Sequence, residues 1–244
     1  MRGMIVRSAL AVAIIAAGGA SLASGPSTNF AKILADPGRP EADRVRDADR
    51  KPAELIAFAG LKPGAQLAEL APGGGYFTRL LSAVVGSKGH IYAVAARPSA
   101  ALTEIASNHP NVSIVSGAPG DIPVPGAIDM VWTALNYHDF KNSKQGDTDA
   151  ATLFNRAAFK ALKPGGIYLI ADHEAAPGAG ASVTSTLHRI EDTVVRQEVE
   201  AAGFKLDGES QLLRHSADDH SQKVVETGIR GKTDQFILRF RKPR

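Results

Sequence analysis

Hydrophobic and polar positions divide residues 50–244 into alternating strands and helices. Apolar runs short enough for buried strands occur at 66–70, 90–94, 112–115, 128–132 and 167–171, and two further strand candidates lie at 204–213 and 235–240. Helical spacing of apolar residues occurs between them, around Leu55, at 76–85, at 100–107, through 154–161 and through 190–202. Lys163–Gly166 is predicted to stop the fourth of these helices. This alternation predicts an α/β domain with one doubly wound, mostly parallel, seven-stranded sheet and an antiparallel edge strand.

A glycine-rich turn follows the first predicted strand. The strand carries Glu69, the turn reads Pro72-Gly73-Gly74-Gly75, and the helix spacing resumes at Tyr76. Glycine permits a positive φ and lets a ligand approach the backbone, and the free N–H groups at the helix start favour an anionic or polar ligand. We therefore predict a cofactor site here. We also expect the turn to line the surface, so that substituting its glycines leaves the fold largely intact.

The spacing of the turn excludes two other nucleotide sites. A dinucleotide fingerprint that starts at Gly73 requires a third glycine where Thr78 stands, and the P-loop suggested by Gly231-Lys232-Thr233 requires a glycine where Glu226 stands.

The remaining pattern, an acid followed by a short apolar step and a glycine-rich turn, resembles the first motif of class I S-adenosylmethionine (SAM)-dependent methyltransferases. Ala71 stands where that motif usually has its first glycine. The resemblance covers about residues 50–244 and implies a Rossmann-like methyltransferase fold and SAM as the cofactor. It narrows to a group of exported bacterial predicted methyltransferases through several motifs in the same order: Arg50–Glu54, the turn with Tyr76–Thr78, Tyr137–Phe140, Asp172–His173, Leu187–Ile190 and Gly231–Phe236.

Carried over residue by residue, the resemblance implies a set of cofactor-binding positions: Glu69, Ala71, Gly73, Gly74, Gly75, Tyr76, Ala96, Asp121 and Asn136. Glu69 would hold the methionine end or order the turn, Asp121 would lie near the adenine amino group, and Asn136 would face the reactive end. One departure concerns the ribose, which the family usually holds with an acid after the second strand. Residues 93–97 contain no acid. The absence of this ribose-binding carboxylate could weaken SAM binding by roughly one to three powers of ten.

Two acid–imidazole pairs follow the fourth and fifth predicted strands. We predict that His138 with Asp139 and His173 with Asp172 are catalytic, because a carboxylate can fix the tautomer of a histidine that removes a proton from the methyl acceptor. Open α/β sheets bind ligands at the carboxyl ends of their strands, where both pairs lie. Two alternatives stay open: the two pairs could hold a metal ion, or they could make only loop hydrogen bonds.

The N-terminal 23 residues have the three parts of a secretory signal peptide: Arg2 and Arg7, an apolar run at 9–20, and the small residues Ser21-Leu22-Ala23. A retained anchor is the alternative. We predict a signal peptide at 1–23, a linker or N-terminal arm at 24–49, and a methyltransferase-like domain at 50–244. The chain has no cysteine, which suits an oxidising compartment. We therefore expect export, to a bacterial periplasm, without stable membrane insertion after cleavage.

The net charge of +3 comes largely from Arg2 and Arg7, so nothing favours nucleic acid as the partner. We expect an exported SAM-dependent methyltransferase that acts on a small molecule or a cell-envelope component. Two alternatives are a catalytically inactive domain that binds SAM or a nucleoside, and a metal-assisted enzyme that uses the acid–imidazole pairs. The sequence gives no basis for an oligomeric state.

Overall fold

The computed structural model describes residues 28–244, so the predicted signal peptide at 1–23 lies outside the described residues. The α-helices are α1 Thr28–Leu34, α2 Glu41–Arg44, α3 Asp47–Arg50, α4 Pro52–Ala59, α5 Tyr76–Val85, α6 Ala100–Asn108, α7 Tyr137–Lys141, α8 Ala150–Ala161 and α9 Asp192–Ala201. The strands are β1 Gln66–Leu70, β2 His90–Val94, β3 Val112–Val115, β4 Ile128–Ala134, β5 Lys144–Gln145, β6 Thr148–Asp149, β7 Leu162–His173, β8 Lys205–Ser210 and β9 Gln235–Arg241. None of the helices within 28–244 is long and apolar enough to cross a bilayer.

Seven strands form one sheet in the order β3-β2-β1-β4-β7-β9-β8. The first five are parallel, whereas β9 runs antiparallel to both β7 and β8. The doubly wound, mostly parallel sheet predicted from the sequence is therefore confirmed. The predicted antiparallel edge is the β8–β9 pair. The reversed strand is β9, and β8 is the edge strand.

The sheet is buried on both faces because helices cover each side. Successive residues of β1 alternate between the two cores: Leu67 packs in one cluster, and Ala68 and Leu70 pack in the other. This burial explains why the strands read as continuous apolar runs instead of alternating with polar residues.

Two local features differ from the predicted elements. Helix α8 ends before Lys163, as predicted, but β7 begins at once with Leu162, which pairs with Ile128 across a register shift in β4. Helix α7 was not predicted, because five residues are too few to show a helical period. Tyr137, the first residue of α7, is fully buried and its hydroxyl donates to Glu198 at 2.8 Å.

The described part of the predicted arm consists of the three short helices α1–α3, and it packs on α5. Arg39 makes a bidentate ion pair with Asp47, with both N–O distances 2.7 Å. The Tyr76 hydroxyl donates to the same Asp47 carboxylate at 2.6 Å, and Arg79 pairs with Asp43 at 2.7 Å. The arm is therefore tied to the first turn of α5, directly after the glycine turn.

Candidate active site

The glycine turn between β1 and α5 presents open backbone. Ala71, Gly73 and Gly75 have positive φ values of 52°, 57° and 79°. Ala71 thus adopts the left-handed conformation that explains a glycine preference at this position. A Cβ added at Gly73 or Gly74 would meet no atom within 4 Å. The backbone at these two residues faces free space, as a cradle for a bound ligand requires.

Gly75 does not face free space. A Cβ at Gly75 would lie 2.2 Å from Cδ1 of Ile105, a buried residue of α6. The expectation that the whole turn lines the surface is therefore wrong at Gly75, because this residue packs against the core. Only Gly73 and Gly74 behave as expected.

Glu69 lies buried beneath the turn, with 3% of its surface exposed. The Thr78 hydroxyl donates to Glu69 Oε2 at 2.6 Å. Burial raises the pKa of the Glu69 carboxyl to about 7, and the hydrogen bond from Thr78 opposes that rise. Glu69 is thus a carboxyl group that changes charge near neutral pH, at the wall of a candidate ligand site.

We call the space over the turn the turn cleft. It has a volume of about 200 Å³. Its walls are Arg46, Arg50, Glu69–Gly74, Tyr76, Phe77 and Ala134–Asn136. The Asn136 side-chain amide donates to Ala71 O at 3.1 Å and to Ala134 O at 2.6 Å. Asn136 therefore joins the end of β4 to the glycine turn, next to the position predicted for the cofactor.

The structure places Ala96 and Asp121 outside the turn cleft. Ala96 is exposed after β2, and no acid stands beside it. The polar contact between this loop and the turn is made by Ser99, whose hydroxyl donates to Gly73 O at 2.9 Å. Asp121 is exposed and lines a separate cleft of about 510 Å³ beside α8. The cofactor contacts of both residues stay predictions.

The acid–imidazole pairs form differently from the prediction. His138 Nδ1 lies 2.8 Å from Asp172 Oδ1, on the neighbouring strand end, and the His138 backbone N–H donates to Asp172 Oδ2 at 2.7 Å. His173 Nδ1 instead lies 2.8 Å from the Thr233 hydroxyl. The predicted pairing of His173 with Asp172 is wrong at the ring, because successive strand residues point to opposite faces of the sheet. From His173, the Asp172 carboxylate accepts the backbone N–H alone, at 2.8 Å.

Asp139 has two imidazole neighbours. Its Oδ1 lies 3.4 Å from His138 Nε2 and 3.1 Å from His188 Nδ1. The predicted pair of His138 with Asp139 is therefore present, but it is the longer contact of each partner. His138 has a carboxylate at each ring nitrogen.

The two buried histidines differ in charge preference. Burial lowers the pKa of His138, but the Asp172 carboxylate raises it more, and the net direction is upward. At His173, in contrast, burial outweighs the opposing effect of Asp172 and lowers the pKa to about 4. Burial raises the pKa of Asp172, but the His138 ring outweighs it and holds that pKa below its usual range. His173 is therefore neutral near pH 7, and Asp172 is ionised.

A second space, which we call the large cleft, has a volume of about 580 Å³. Its walls are Val45, Arg46, Asp49, Arg50, Leu135, His173, Val224, Val225, Thr227, Arg230, Gly231 and Gln235. Arg46, Arg50 and Leu135 line both clefts. The two clefts are thus neighbours that share one wall.

The loop between β8 and β9 supplies one side of the large cleft and is anchored by a buried ion pair. Arg189, fully buried, binds Asp218 through two N–O contacts of 2.8 and 3.0 Å. The Val224 backbone N–H donates to Leu187 O at 3.2 Å. These contacts hold the loop against the segment that follows β7.

No family model matches the chain, and no curated protein matches it in sequence. Solved structures do match it in three dimensions. A SAM-dependent methyltransferase from Aquifex aeolicus is 18% identical, with 87% of this chain and 97% of that chain covered and a TM-score of 0.61. Aeropyrum pernix fibrillarin with natively bound SAM is 16% identical, with coverages of 80% and 76% and a TM-score of 0.52.

This chain has the class I methyltransferase fold. The same fold also occurs in the [4+2]-cyclase SpnF, which is 17% identical over 80% of this chain and 81% of that chain with a TM-score of 0.60. The fold is therefore compatible with more than one reaction, and the reaction has to be argued from the residues of the site.

Several site residues were not predicted from the sequence. Arg46 belongs to the predicted arm, which carried no ligand motif, and Arg50 begins the motif 50–54, to which no ligand role was assigned. His188, Thr233 and Arg230 lie in or next to the motifs 187–190 and 231–236 that supported the family resemblance. For His188, Thr233 and Arg230, those two motifs were the sequence signal that pointed to the site.

Proposed function

We propose that this protein is a SAM-dependent methyltransferase that acts on a small molecule. The observation that carries the proposal is the shared wall between the turn cleft and the large cleft. A donor bound at the glycine turn and an acceptor bound beside His173 would be adjacent, as methyl transfer requires. The matched fold, which binds SAM in fibrillarin, supports the same assignment.

The residues of the turn cleft fit the cofactor in charge and shape. Gly73 and Gly74 leave room for a ligand, and Arg46 and Arg50 offer cations for its carboxylate. Glu69 offers a carboxyl group for its ammonium. When bound, SAM supplies an electrophilic methyl group on a sulfonium.

Of the four residues predicted to be catalytic, His173 lines the large cleft. Its Nδ1 is engaged with Thr233, which leaves Nε2 available to an acceptor. A pKa of about 4 makes the ring a weak base. A base this weak fits an acceptor of comparable acidity, such as a carboxylic acid, whose proton passes to His173 Nε2 as the carboxyl oxygen gains the methyl group.

The walls of the large cleft favour an acceptor that is apolar with an acidic group. Val45 and Val225 are the large hydrophobic residues found exposed in 28–244, at 64% and 56%, and both line this cleft. Arg50 stacks on the Tyr76 ring at 4.5 Å, and neither Arg50 nor Arg230 pairs with a carboxylate in the described part of the chain. Burial lowers the pKa of Arg50, and neighbouring Arg46 and Arg230 lower it further. An anionic group would relieve that repulsion.

The assignment is tested by calorimetric titration of SAM and S-adenosylhomocysteine, followed by transfer of a labelled methyl group to aliphatic carboxylic acids and to amides of the same length. We expect binding of both nucleosides and transfer to the acids. His173→Gln should lower turnover by about 10²–10⁴ and keep cofactor affinity, because a base acts in the transition state.

His90→Gln is the matched control, because His90 lies at the opposite end of the sheet, where its Nε2 contacts Ser113. Absence of nucleoside binding would contradict the whole proposal. Equal turnover in the His173 and His90 variants would contradict the role of His173.

A catalytically inactive SAM- or nucleoside-binding domain is the second candidate. The observation that favours it is the end of β2, where Ala95 is half-buried, Ala96 is exposed and no carboxylate is available for a ribose. Nucleoside binding without transfer to any acid or amide of the panel would support this candidate over the first.

We also propose that the protein is exported to a periplasm, with a small molecule or an envelope component as acceptor. The support is the basic, apolar and small-residue pattern of residues 1–23 and the absence of cysteine from the sequence. N-terminal sequencing of native protein should find a start near Ser24, and material that still begins at Met1 would contradict cleavage.

A further inference from the structure

Two imidazoles and one carboxylate meet on the far side of His138 from Asp172. Asp139 Oδ1 lies 3.1 Å from His188 Nδ1 and 3.4 Å from His138 Nε2, and one ligand atom from each of the three residues lies within 4.8 Å of the others. They come from α7 and from the segment after β7, which are distant in sequence. Folding therefore creates the cluster, and no local sequence motif contains it.

The His138 ring is oriented as a metal ligand would be. Its Nδ1 contacts Asp172 Oδ1 at 2.8 Å, and the Asp172 carboxylate is held by the backbone N–H groups of His138 and His173 at 2.7 and 2.8 Å. A carboxylate surrounded by N–H donors stays ionised and accepts a hydrogen bond from Nδ1–H, which leaves a lone pair on Nε2. Histidines that bind metals are usually oriented by such a carboxylate on the other nitrogen.

The two contacts of the Asp139 carboxylate have the spacing of ligand atoms on a single ion. Two atoms each about 2.0–2.1 Å from one metal are about 2.9–3.4 Å apart for bond angles between 90° and the tetrahedral angle. The two contacts of Asp139 Oδ1, at 3.1 and 3.4 Å, fall within this range.

The donor set indicates the kind of metal. Imidazole nitrogens favour zinc and its transition-metal neighbours over magnesium and calcium, and two histidines with one carboxylate leave further positions open. The site also has access to solvent, since the side chains of Asp139 and His188 are 50% and 29% exposed. Water could fill the open positions.

We propose that His138 Nε2, His188 Nδ1 and the Asp139 carboxylate bind one divalent transition-metal ion. The site lies next to the large cleft, because the His138 and His173 ring centroids are 5.9 Å apart. The inference rests on the geometry of this cluster and does not depend on methyl transfer. Failure of one proposal would leave the other unaffected.

The test uses the full chain, stripped of metal with a chelator and titrated separately with Zn²⁺ and Co²⁺. Calorimetry gives the stoichiometry, Co²⁺ absorption reports the donor geometry, and the melting temperature reports stabilisation by the ion. The variants are Asp139→Asn and His188→Gln, each of which removes one ligand from the exposed side of the cluster. His109→Gln is the matched control, because His109 Nδ1 contacts Ile105 O at the end of α6.

We expect one equivalent of either ion in the wild type and in the His109 variant, with a rise in melting temperature. Both ligand variants should bind at least about 10-fold more weakly and lose the Co²⁺ spectrum. Circular dichroism without metal verifies that each variant is folded, and either folded ligand variant is sufficient for the comparison. Less than one equivalent in the wild type, or the same affinity in the ligand variants and the control, would overturn the proposal.

Discussion

The buried carboxyl of Glu69 predicts a specific dependence of stability on pH. Its pKa is 4.5 in a solvated chain and about 7 in the folded protein, because folding removes the group from water. Below pH 4.5 both states are protonated and Glu69 contributes no difference. As the pH rises from 4.5 to 7, the unfolded chain releases the proton first, so the free energy of unfolding falls.

The size of this fall follows from the two pKa values. A tenfold difference in proton binding corresponds to about 1.4 kcal/mol, so a change from 4.5 to about 7 corresponds to about 3 kcal/mol lost by pH 7.5. Glu69→Gln removes the titration and retains an oxygen that can accept the Thr78 hydroxyl. The variant should therefore gain about 3 kcal/mol relative to the wild type between pH 4.5 and pH 7.5.

Urea unfolding at the two pH values measures this difference. The chain contains one tryptophan, Trp132, which is fully buried and reports unfolding by fluorescence. Glu104→Gln, at an exposed glutamate of α6, is the control and should follow the wild type. The reasoning is refuted if the stability difference between the Glu69 variant and the wild type is the same at both pH values.

Three further predictions concern the turn, the ribose position and the arm. Gly75→Ala should lower the free energy of unfolding by about 1–3 kcal/mol, because the added Cβ would lie 2.2 Å from Ile105 Cδ1. The control Gly74→Ala should have a stability near that of the wild type, since a Cβ there meets no atom within 4 Å. Equal melting temperatures of the two variants would contradict this prediction. Ala96→Asp should tighten S-adenosylhomocysteine binding by about 10-fold or more in calorimetry, because it supplies a carboxylate for the ribose. Unchanged affinity would mean that this position does not face the ribose. Asp47→Asn should lower the free energy of unfolding by about 2 kcal/mol and speed proteolysis within residues 28–50, because Asp47 joins the arm to α5. An unchanged cleavage rate would show that other contacts hold the arm.

The sequence predicted the first three strands well because polar residues, proline or glycine stand close to their ends. The bounds of β1, β2 and β3 agree with the predicted runs, each of which is a short, mostly apolar segment with such a residue within three positions of each end. Helix α5 also agrees, since its apolar face repeats over ten residues. Helix α7, with five residues, contains less than two turns and has no period to detect.

The site was predicted less completely because its contacts join residues that are far apart in the chain. Neighbouring residues in sequence suggested the two acid–imidazole pairs, whereas the structure joins His138 to Asp172 across two strand ends and joins Asp139 to His188. The arginines of the arm reach the turn only after α2 and α3 have packed on α5. Long-range packing, which single-sequence patterns do not encode, decided these partners.

The position of β9 has a consequence for the order in which the molecule can be completed. Of the seven strands, β9 is made last during synthesis, yet it lies between β7 and β8. Until it is available, β8 has no partner in the sheet, and the large cleft lacks Gln235, a residue of β9. A nascent chain that has not yet released β9 therefore has neither a complete sheet nor a complete large cleft, so the cleft can form only after the last of the seven strands has left the ribosome.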